Sequence, residues 1–403
     1  MRPLILILGA CCAAAAAPNP TDIAKSGLDP ARLAGIPVRM KQLVGQGLGA
    51  GCVTLVQRHG VIAELDAVGM ADIESKKPMR TDTIFQIMSM TKPITAVGAM
   101  MLVEEGKLAL NESVEKYLPE FHGQTLAGGE KPARPITLRD LMTHTSGMGS
   151  AAPDTMKDLQ QRMNHTLADA VAAYAKQPLA FEPGAKWSYS NNGIATLGRL
   201  IEVASGMPYE KFIETRILAP LGMKDSFFFP PRDKIARIAL VYQTSGGKPA
   251  RAGDHILGGD PTLYRKGAIY PAPEWGLYST AEDLARFYQM MLNGGTYRGR
   301  RYLSKMAVDL MRVIHTGDIA PAGWLPLGGS GYGLAWEVTR DPTSQLMFLP
   351  AGTYGHGGAF GTQGWIDPKD DLIRVLMIQG TNAANGTDDF RAAFLQMAGS
   401  AVE

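Results

Sequence analysis

Cysteine is nearly missing from this chain. Of 403 residues three are Cys: Cys11, Cys12 and Cys52. With residues 1–17 removed, Cys52 alone is left, no internal disulfide can form, and the fold must rest on its apolar core. Cys52 stands in the apolar run Cys52 to Val56, with no second Cys near it to suggest a metal site; a buried structural thiol fits that setting. A surplus of one charge is missing too: 40 Lys and Arg stand against 38 Asp and Glu, a formal net charge of +2. So balanced a chain gives no electrostatic case for binding nucleic acid or an acidic membrane surface. The N-terminal apolar run Leu4 to Leu8 is too short to span a bilayer. No serine has the G-x-S-x-G setting of an ordinary α/β-hydrolase. No H-E-x-x-H is present, and the seven His (His59, His122, His144, His165, His255, His315 and His356) are scattered, which argues against a metallohydrolase. The glycines of Gly45 to Gly51 match G-x-G-x-x-A, but they follow a helix pattern and precede a strand. A dinucleotide loop needs the opposite order. Internal repeats, low-complexity tracts after the N-terminal alanines, and Gly/Ser-rich or charged linkers are all missing, so nothing marks separable domains.

What is present is globular. Hydrophobic residues make up 45% and charged residues 19%, ample apolar material for a core, and 46 Gly and 26 Pro imply many turns. The N-terminus reads MRPLILILGACCAAAAAP. Arg2, a short apolar run and then small residues have the layout of a secretory signal peptide over residues 1–17. Two processing outcomes compete. Cleavage in Ala13 to Ala17 releases a soluble protein, whereas Leu8-Gly9-Ala10-Cys11 resembles a bacterial lipoprotein box and would leave a lipid anchor at Cys11. Either way the expectation is an exported bacterial protein, periplasmic or secreted, with residues 18–403 forming one domain.

Strand and helix patterns are unevenly spread. A helix opens at Asp29-Pro30 and runs through Leu33, Ile36, Met40 and Leu43, with Pro37 casting doubt on its first turns. Two strands flank a turn at His59-Gly60. Thr83 to Ile87 is extended, and from Ser89 or Met90 a helix runs to Gly106 with Pro93 tolerated in its first turn. From about 111 to 271 the chain reads as helical segments and loops. A helix over Ala281 to Leu292 follows, then strands at Tyr332 to Val338 and on either side of a turn at Pro368 to Asp371, and a last helix over about Asp388 to Met397. The simplest arrangement is an α+β fold. Strands from the two ends (about 18–110 and 272–403) pair into one antiparallel sheet flanked by helices, and the mostly helical part, about 111–271, packs beside it.

The chemistry centres on FQIMSMTKPITAV, Phe85 to Val97. Ser89 and Lys92 lie three apart at the start of an apolar helix, so they share a face. A serine hydroxyl needs a base, and an ordinary Lys, titrating near 10.4, is none. Burial, a second cation and the positive helix end can each lower it. WSYSNNG, Trp187 to Gly193, adds Tyr189, a phenol that serves as base if nearby cations favour its phenolate, and Asn191, able to orient a carbonyl or amide. In YGHGGAFGTQGW, Tyr354 to Trp365, Gly357 and Gly358 permit close backbone approach to a ligand, with backbone N–H groups available for an oxyanion hole. His144 reads as structural, anchoring a loop. Met88, Met90, Met142 and Met148 lie in or near these motifs, where they would suit an adaptable acyl pocket; core packing is the plainer reading for most of them.

In this order the motifs resemble those of the serine β-lactamase and penicillin-binding superfamily, nearest to its class C-like branch with the family VIII carboxylesterases. Ser89-Met90-Thr91-Lys92 matches S-x-x-K, Tyr189-Ser190-Asn191 matches Y-x-N, and His356-Gly357-Gly358 stands at the K-T-G-like motif. Leu141 to Met148, Phe181 to Gly193 and Tyr332 to Trp336 also look familial. The resemblance implies a β-lactamase-like (transpeptidase) fold and a serine hydrolase working through an acyl-enzyme. It makes Ser89 the nucleophile and lets Lys92 and Tyr189 share the proton work, without deciding which is the base. It puts the oxyanion hole at the backbone N–H groups of Ser89 and Ala359. Asn191, His356, Gly357 and Gly358 line the substrate, and no metal or organic cofactor is needed. One departure matters. His356 and Gly357 replace the Lys and the hydroxyl that help bind a substrate carboxylate in lactamases, and His is only partly charged near neutral pH. An ester without a carboxylate loses nothing by the exchange. The expected activity is therefore hydrolysis of short-chain carboxylic esters, with weak β-lactamase activity on the side. A class C-like β-lactamase, a D-amino-acid peptidase or DD-carboxypeptidase, and a non-turnover penicillin sensor are the alternatives.

Overall fold

The computed structural model describes residues 20–245, 247–253, 267–319, 329–344, 347–381 and 387–403; the expected signal segment and Cys11 lie outside the described residues. Helix α1, Pro30–Gly45, is capped by Asp29, whose carboxylate accepts from the N–H of Ala31 (2.8 Å) and Arg32 (3.3 Å). The helix runs unbroken through Pro37. The missing hydrogen bond there is offset by the buried stripe Leu33, Ile36, Met40 and Leu43, each able to contribute about 1.5–3 kcal/mol.

Strands β1 (Gly51–Arg58) and β2 (Val61–Asp72) form a hairpin whose turn uses His59 at φ 53° and Gly60 at φ 74°, the two left-handed residues a tight hairpin turn requires. The short β3 (Lys77–Pro78) extends it. Helix α2 (Thr91–Glu104) follows a single 3₁₀ turn, Met88–Met90. The segment from 111 to 271 carries helices such as Leu138–Thr143 and Leu167–Ala175, the longer α3 (Asn191–Ser205), and one hairpin, Tyr242–Ser245 with Lys248–Arg251. Helix α4 (Ala281–Leu292) precedes β4 (Ser330–Tyr332), β5 (Glu337–Thr339), β6 (Tyr354–Gly357), β7 (Gln363–Asp367) and β8 (Leu372–Ile378), and α5 (Thr387–Ser400) closes the chain.

The expected union of the chain's two ends is what the sheet shows. Its order is β4-β5-β6-β7-β8-β1-β2-β3, every pair antiparallel, with β1 from the N-terminal part zipped to β8 from the C-terminal part. Side chains alternate across it. Val53, Leu55, Ile366, Ile373, Val375 and Met377 face the main core with α2 and α4. Cys52, Val56, Trp365, Leu372, Leu376 and Ile378 face α1 and α5. Cys52 is buried, as its apolar setting implied.

One element differs from the sequence reading. Tyr332 to Val338 is not a single strand but the end of β4, a turn and the start of β5. Gly333 N–H donates to Trp336 O (2.8 Å), Ala335 takes φ 62°, and its N–H donates to Met142 O (2.8 Å). A Cβ on Gly333 would lie 2.3 Å from Met311 O. Tertiary contact thus overrides the extended preference of the segment, and the hairpin sets Tyr332 opposite Glu337.

Candidate active site

Ser89 sits in the 3₁₀ turn ahead of α2, after Met88 in the left-handed region at φ 51°. A side-chain-bearing residue there costs about 1–3 kcal/mol and needs support from its surroundings. Thr91 supplies part of it: its hydroxyl donates to Met88 O (2.7 Å) and accepts from Leu277 N–H (3.2 Å). The turn after β6 supplies the rest. Thr362 Oγ1 donates to Ile87 O (3.1 Å), and a Cβ on Gly358 would lie 2.4 Å from the same oxygen. Gly358 thus allows a close backbone approach to the protein's own nucleophile turn. Gly357 is likewise hemmed in by its own chain, a Cβ there falling 2.8 Å from Gln363 Nε2. Ala359 lies in the turn closed by Gly361 N–H to Gly358 O (2.9 Å), one residue beyond the contact with Ile87.

Lys92, the second residue of α2, is fully buried, whereas Ser89 is partly open to solvent. The Lys92 ammonium donates to Ser89 Oγ (3.0 Å) and to the main-chain carbonyl of Glu274 (2.6 Å), and it lies 4.7 Å from the centre of the Tyr189 ring. Burial pulls its pKa from 10.5 down to about 7, against the opposing pull of the Glu274 side chain. Burial alone thus does what the sequence argument asked of burial, a second cation and the helix end together. The Tyr189 hydroxyl is influenced by Ser89, which lowers its pKa, but burial outweighs this and pushes that hydroxyl above its ordinary value. That shift favours the phenol over the phenolate at neutral pH.

Asn191 opens α3, its N–H on Ser150 Oγ (3.1 Å). Its Oδ1 is buried without a hydrogen-bond partner among the described residues. His356, on β6, is buried with its Nδ1 2.6 Å from Gly357 O and its Nε2 2.7 Å from the Tyr332 hydroxyl. Burial, with the nearby Lys92, takes its pKa down to about 3. The expected partial charge is absent: this imidazole is neutral throughout the physiological range.

Three further groups complete the cluster. Glu274 could not be found in the sequence, because it holds Lys92 through a main-chain carbonyl that any residue provides. Tyr332 stood in a familial stretch without a chemical role. His144 does anchor a loop as expected: its Nδ1 accepts from Ser190 N–H (3.1 Å), Nε2 meets the Tyr332 hydroxyl (3.2 Å), and its ring packs 4.4 Å from that of Tyr189. Met88, Met90, Met142 and Met148 are all buried in the main core, so their role is packing rather than an open acyl pocket. Among the described residues no group of three or more His, Cys, Asp or Glu is placed to hold a metal ion, and no helix is long and apolar enough to cross a membrane.

Known proteins carry the same architecture. The family model described as Beta-lactamase matches residues 39–398. The chain is 34% identical to Protein Rv1367c of Mycobacterium tuberculosis (strain ATCC 25618 / H37Rv), over 86% of this chain and 90% of that one. It is 31% identical to Esterase EstB of Burkholderia gladioli, over 83% and 86%. Among solved structures, EstCE1, described as a hydrolase with promiscuous acyltransferase activity, superposes with a TM-score of 0.78 at 25% identity, covering 95% of this chain and 98% of its own. With the sheet order, the helix-borne Ser89 and Lys92 and these likenesses together, the chain belongs to the beta-lactamase family and is a hydrolase of that fold.

Proposed function

We propose that this hydrolase is a carboxylesterase that cleaves short-chain esters through an acyl-enzyme on Ser89. The observation that carries the reading is the buried Lys92 amine 3.0 Å from Ser89 Oγ, in a setting that leaves it largely uncharged just above neutrality. An uncharged amine there takes the Ser89 proton as Oγ attacks the ester carbonyl. The negative oxygen of the tetrahedral intermediate is held by the N–H groups of Ser89 and Ala359. Tyr189, a phenol whose ring lies 4.7 Å from Lys92, gives its proton to the leaving alkoxide and regains one from the Lys92 ammonium, so charge and protons balance. Water then enters in the alcohol's place, loses its proton along the same route, and releases the acid. Asn191, with its free Oδ1, orients the substrate.

The neutral His356 supports ester over β-lactam. With no cation at the K-T-G-like position, a substrate carboxylate gains nothing from entering the site and gives up its hydration. The test compares turnover of p-nitrophenyl butyrate with that of a chromogenic cephalosporin, with Ser89→Ala as control. Fast ester turnover and slow cephalosporin opening are expected. Comparable cephalosporin turnover would make the protein a lactamase, and a single burst on either substrate would make it a sensor.

A further inference from the structure

The two buried imidazoles beside Ser89 are joined through one phenol, and the chain they form is anchored at both ends by backbone. At one end Ser190 N–H points at His144 Nδ1 (3.1 Å). An amide N–H can only donate, so Nδ1 is an acceptor and His144 carries its proton on Nε2. That proton is directed at the Tyr332 oxygen (3.2 Å). At the other end Gly357 O, which can only accept, lies 2.6 Å from His356 Nδ1, so Nδ1 holds the proton and Nε2 is left as acceptor. Tyr332 Oη lies 2.7 Å from that Nε2 and supplies the one hydrogen it has. Every polar atom of the chain is satisfied in one direction: Ser190 N–H to His144, His144 to Tyr332, Tyr332 to His356, His356 to Gly357 O.

A proton added to His356 would break this order. Its Nε2–H would point at the Tyr332 oxygen, which already receives the His144 proton, and the phenol hydrogen would have no acceptor. Turning that hydrogen back to His144 requires a ring with neither nitrogen protonated, which neutral pH does not allow. A proton on His144 Nδ1 would face the Ser190 N–H head-on. Burial of such an unsatisfied donor costs free energy. We propose that Tyr332 is a specificity-determining residue, because its phenol, clasped between His144 and His356, locks both imidazoles in the uncharged state and so denies the site a cation for a substrate carboxylate.

This rests on the ester reading above but reaches past it, to the group that enforces it. The ionisable groups around His356 agree with a lock. Lys92 and Tyr189 face it across the nucleophile, His144 and Tyr332 complete the chain, Glu337 sits opposite Gly355 on β5 with Arg391 as its countercharge, and Glu274 lies beyond Lys92. Lys92 disfavours a charge on both imidazoles, and neither carboxylate acts on them strongly enough to reverse it.

The test is nuclear magnetic resonance of the purified protein labelled with ¹⁵N-histidine, the His356 signals assigned by loss in His356→Asn. His356 is expected as the Nδ1–H tautomer, with shifts unchanged between about pH 5 and 8, the window in which an ordinary imidazole titrates. Tyr332→Phe removes the clasp: the His356 shifts should then move and its pKa rise from about 3, with burial and Lys92 still opposing the charge. Turnover of a p-nitrophenyl ester bearing a free acyl-side carboxylate should rise relative to the butyrate ester as pH is lowered and the charge appears. A wild-type His356 that titrates there, or that carries its proton on Nε2, overturns the proposal even if Tyr332→Phe fails to fold, and so does a folded Tyr332→Phe with His356 unmoved. The resonance measurement needs no substrate, so the lock can fail while ester turnover stands, and the reverse.

Discussion

The two faces of the sheet bury ionisable groups to the same depth and treat them differently. On the face toward α2 and the nucleophile, Lys92, His144 and His356 are buried; both imidazoles are uncharged at neutral pH and Lys92 loses its charge around pH 7 because of where each lies. Tyr332 and both rings have every polar atom paired. On the face toward α1 and α5, Glu64 and Arg374 sit directly opposite Val56 in neighbouring strands and are just as hidden, but their pairing is incomplete. Glu64 accepts from Thr54 Oγ1 (2.6 Å) while its Oε2 has no partner, and Arg374 donates to Phe348 O (2.8 Å) while Nε and Nη2 have none among the described residues. Burial by itself shifts a pKa. What separates a site from a stability cost is whether the shifted group touches a nucleophile that can use it.

The largest effect that would break this comparison is at Ser89. Ser89→Ala should lower kcat for ester hydrolysis by about 10⁶-fold, the scale seen when a catalytic serine is lost, and leave the unfolding midpoint unchanged; persistent turnover would move the chemistry elsewhere. Next come the proton carriers. Lys92→Ala and Tyr189→Phe should each cost about 10²- to 10⁴-fold in kcat/KM, and less than tenfold for either, on the order of 1 kcal/mol, would remove it from the mechanism.

The pH profile sharpens the same point. Since Lys92 must be uncharged to act, kcat/KM for a neutral ester should rise with a one-proton slope through about pH 7 and then level. Lys92 has a folded value below its unfolded one, so keeping it buried costs stability at neutral pH that returns as pH climbs toward 10.5. Glu64 has the opposite sign. Burial raises its carboxyl from 4.5 to about 8, so the folded state holds a proton that the unfolded chain releases, and stability falls as pH rises across that interval. Glu64→Gln should therefore add about 4 kcal/mol of stability at pH 8 and about 1 kcal/mol at pH 5, without altering ester turnover. A denaturant midpoint measured at the two pH values checks it.

Much of this was legible in the chain because local chemistry and tertiary structure agree. The hairpin at His59-Gly60, helix α4 and the union of terminal strands follow from periodicity and turn residues, and Ser89 with Lys92 follows from spacing on a helix. The parts that were not legible share a cause. The break at Gly333 to Trp336 is imposed by Met311 and Met142, residues distant in sequence. The hold of Glu274 on Lys92 is a main-chain bond with no side-chain signature. The neutrality of His356 depends on Tyr332 and on burial, neither of which the residue type reveals. The packing of Gly358 against Ile87 O pairs residues far apart in sequence.

The most direct measurement is reaction of the purified protein with a fluorophosphonate, an ester-hydrolase probe that bonds to an activated serine, followed by peptide mapping. Phosphonylation of Ser89 that proceeds with loss of ester turnover, and that is abolished in Lys92→Ala, is the expected result. A label on another serine, or full turnover in protein fully labelled at Ser89, would contradict an acyl-enzyme on Ser89 activated by Lys92.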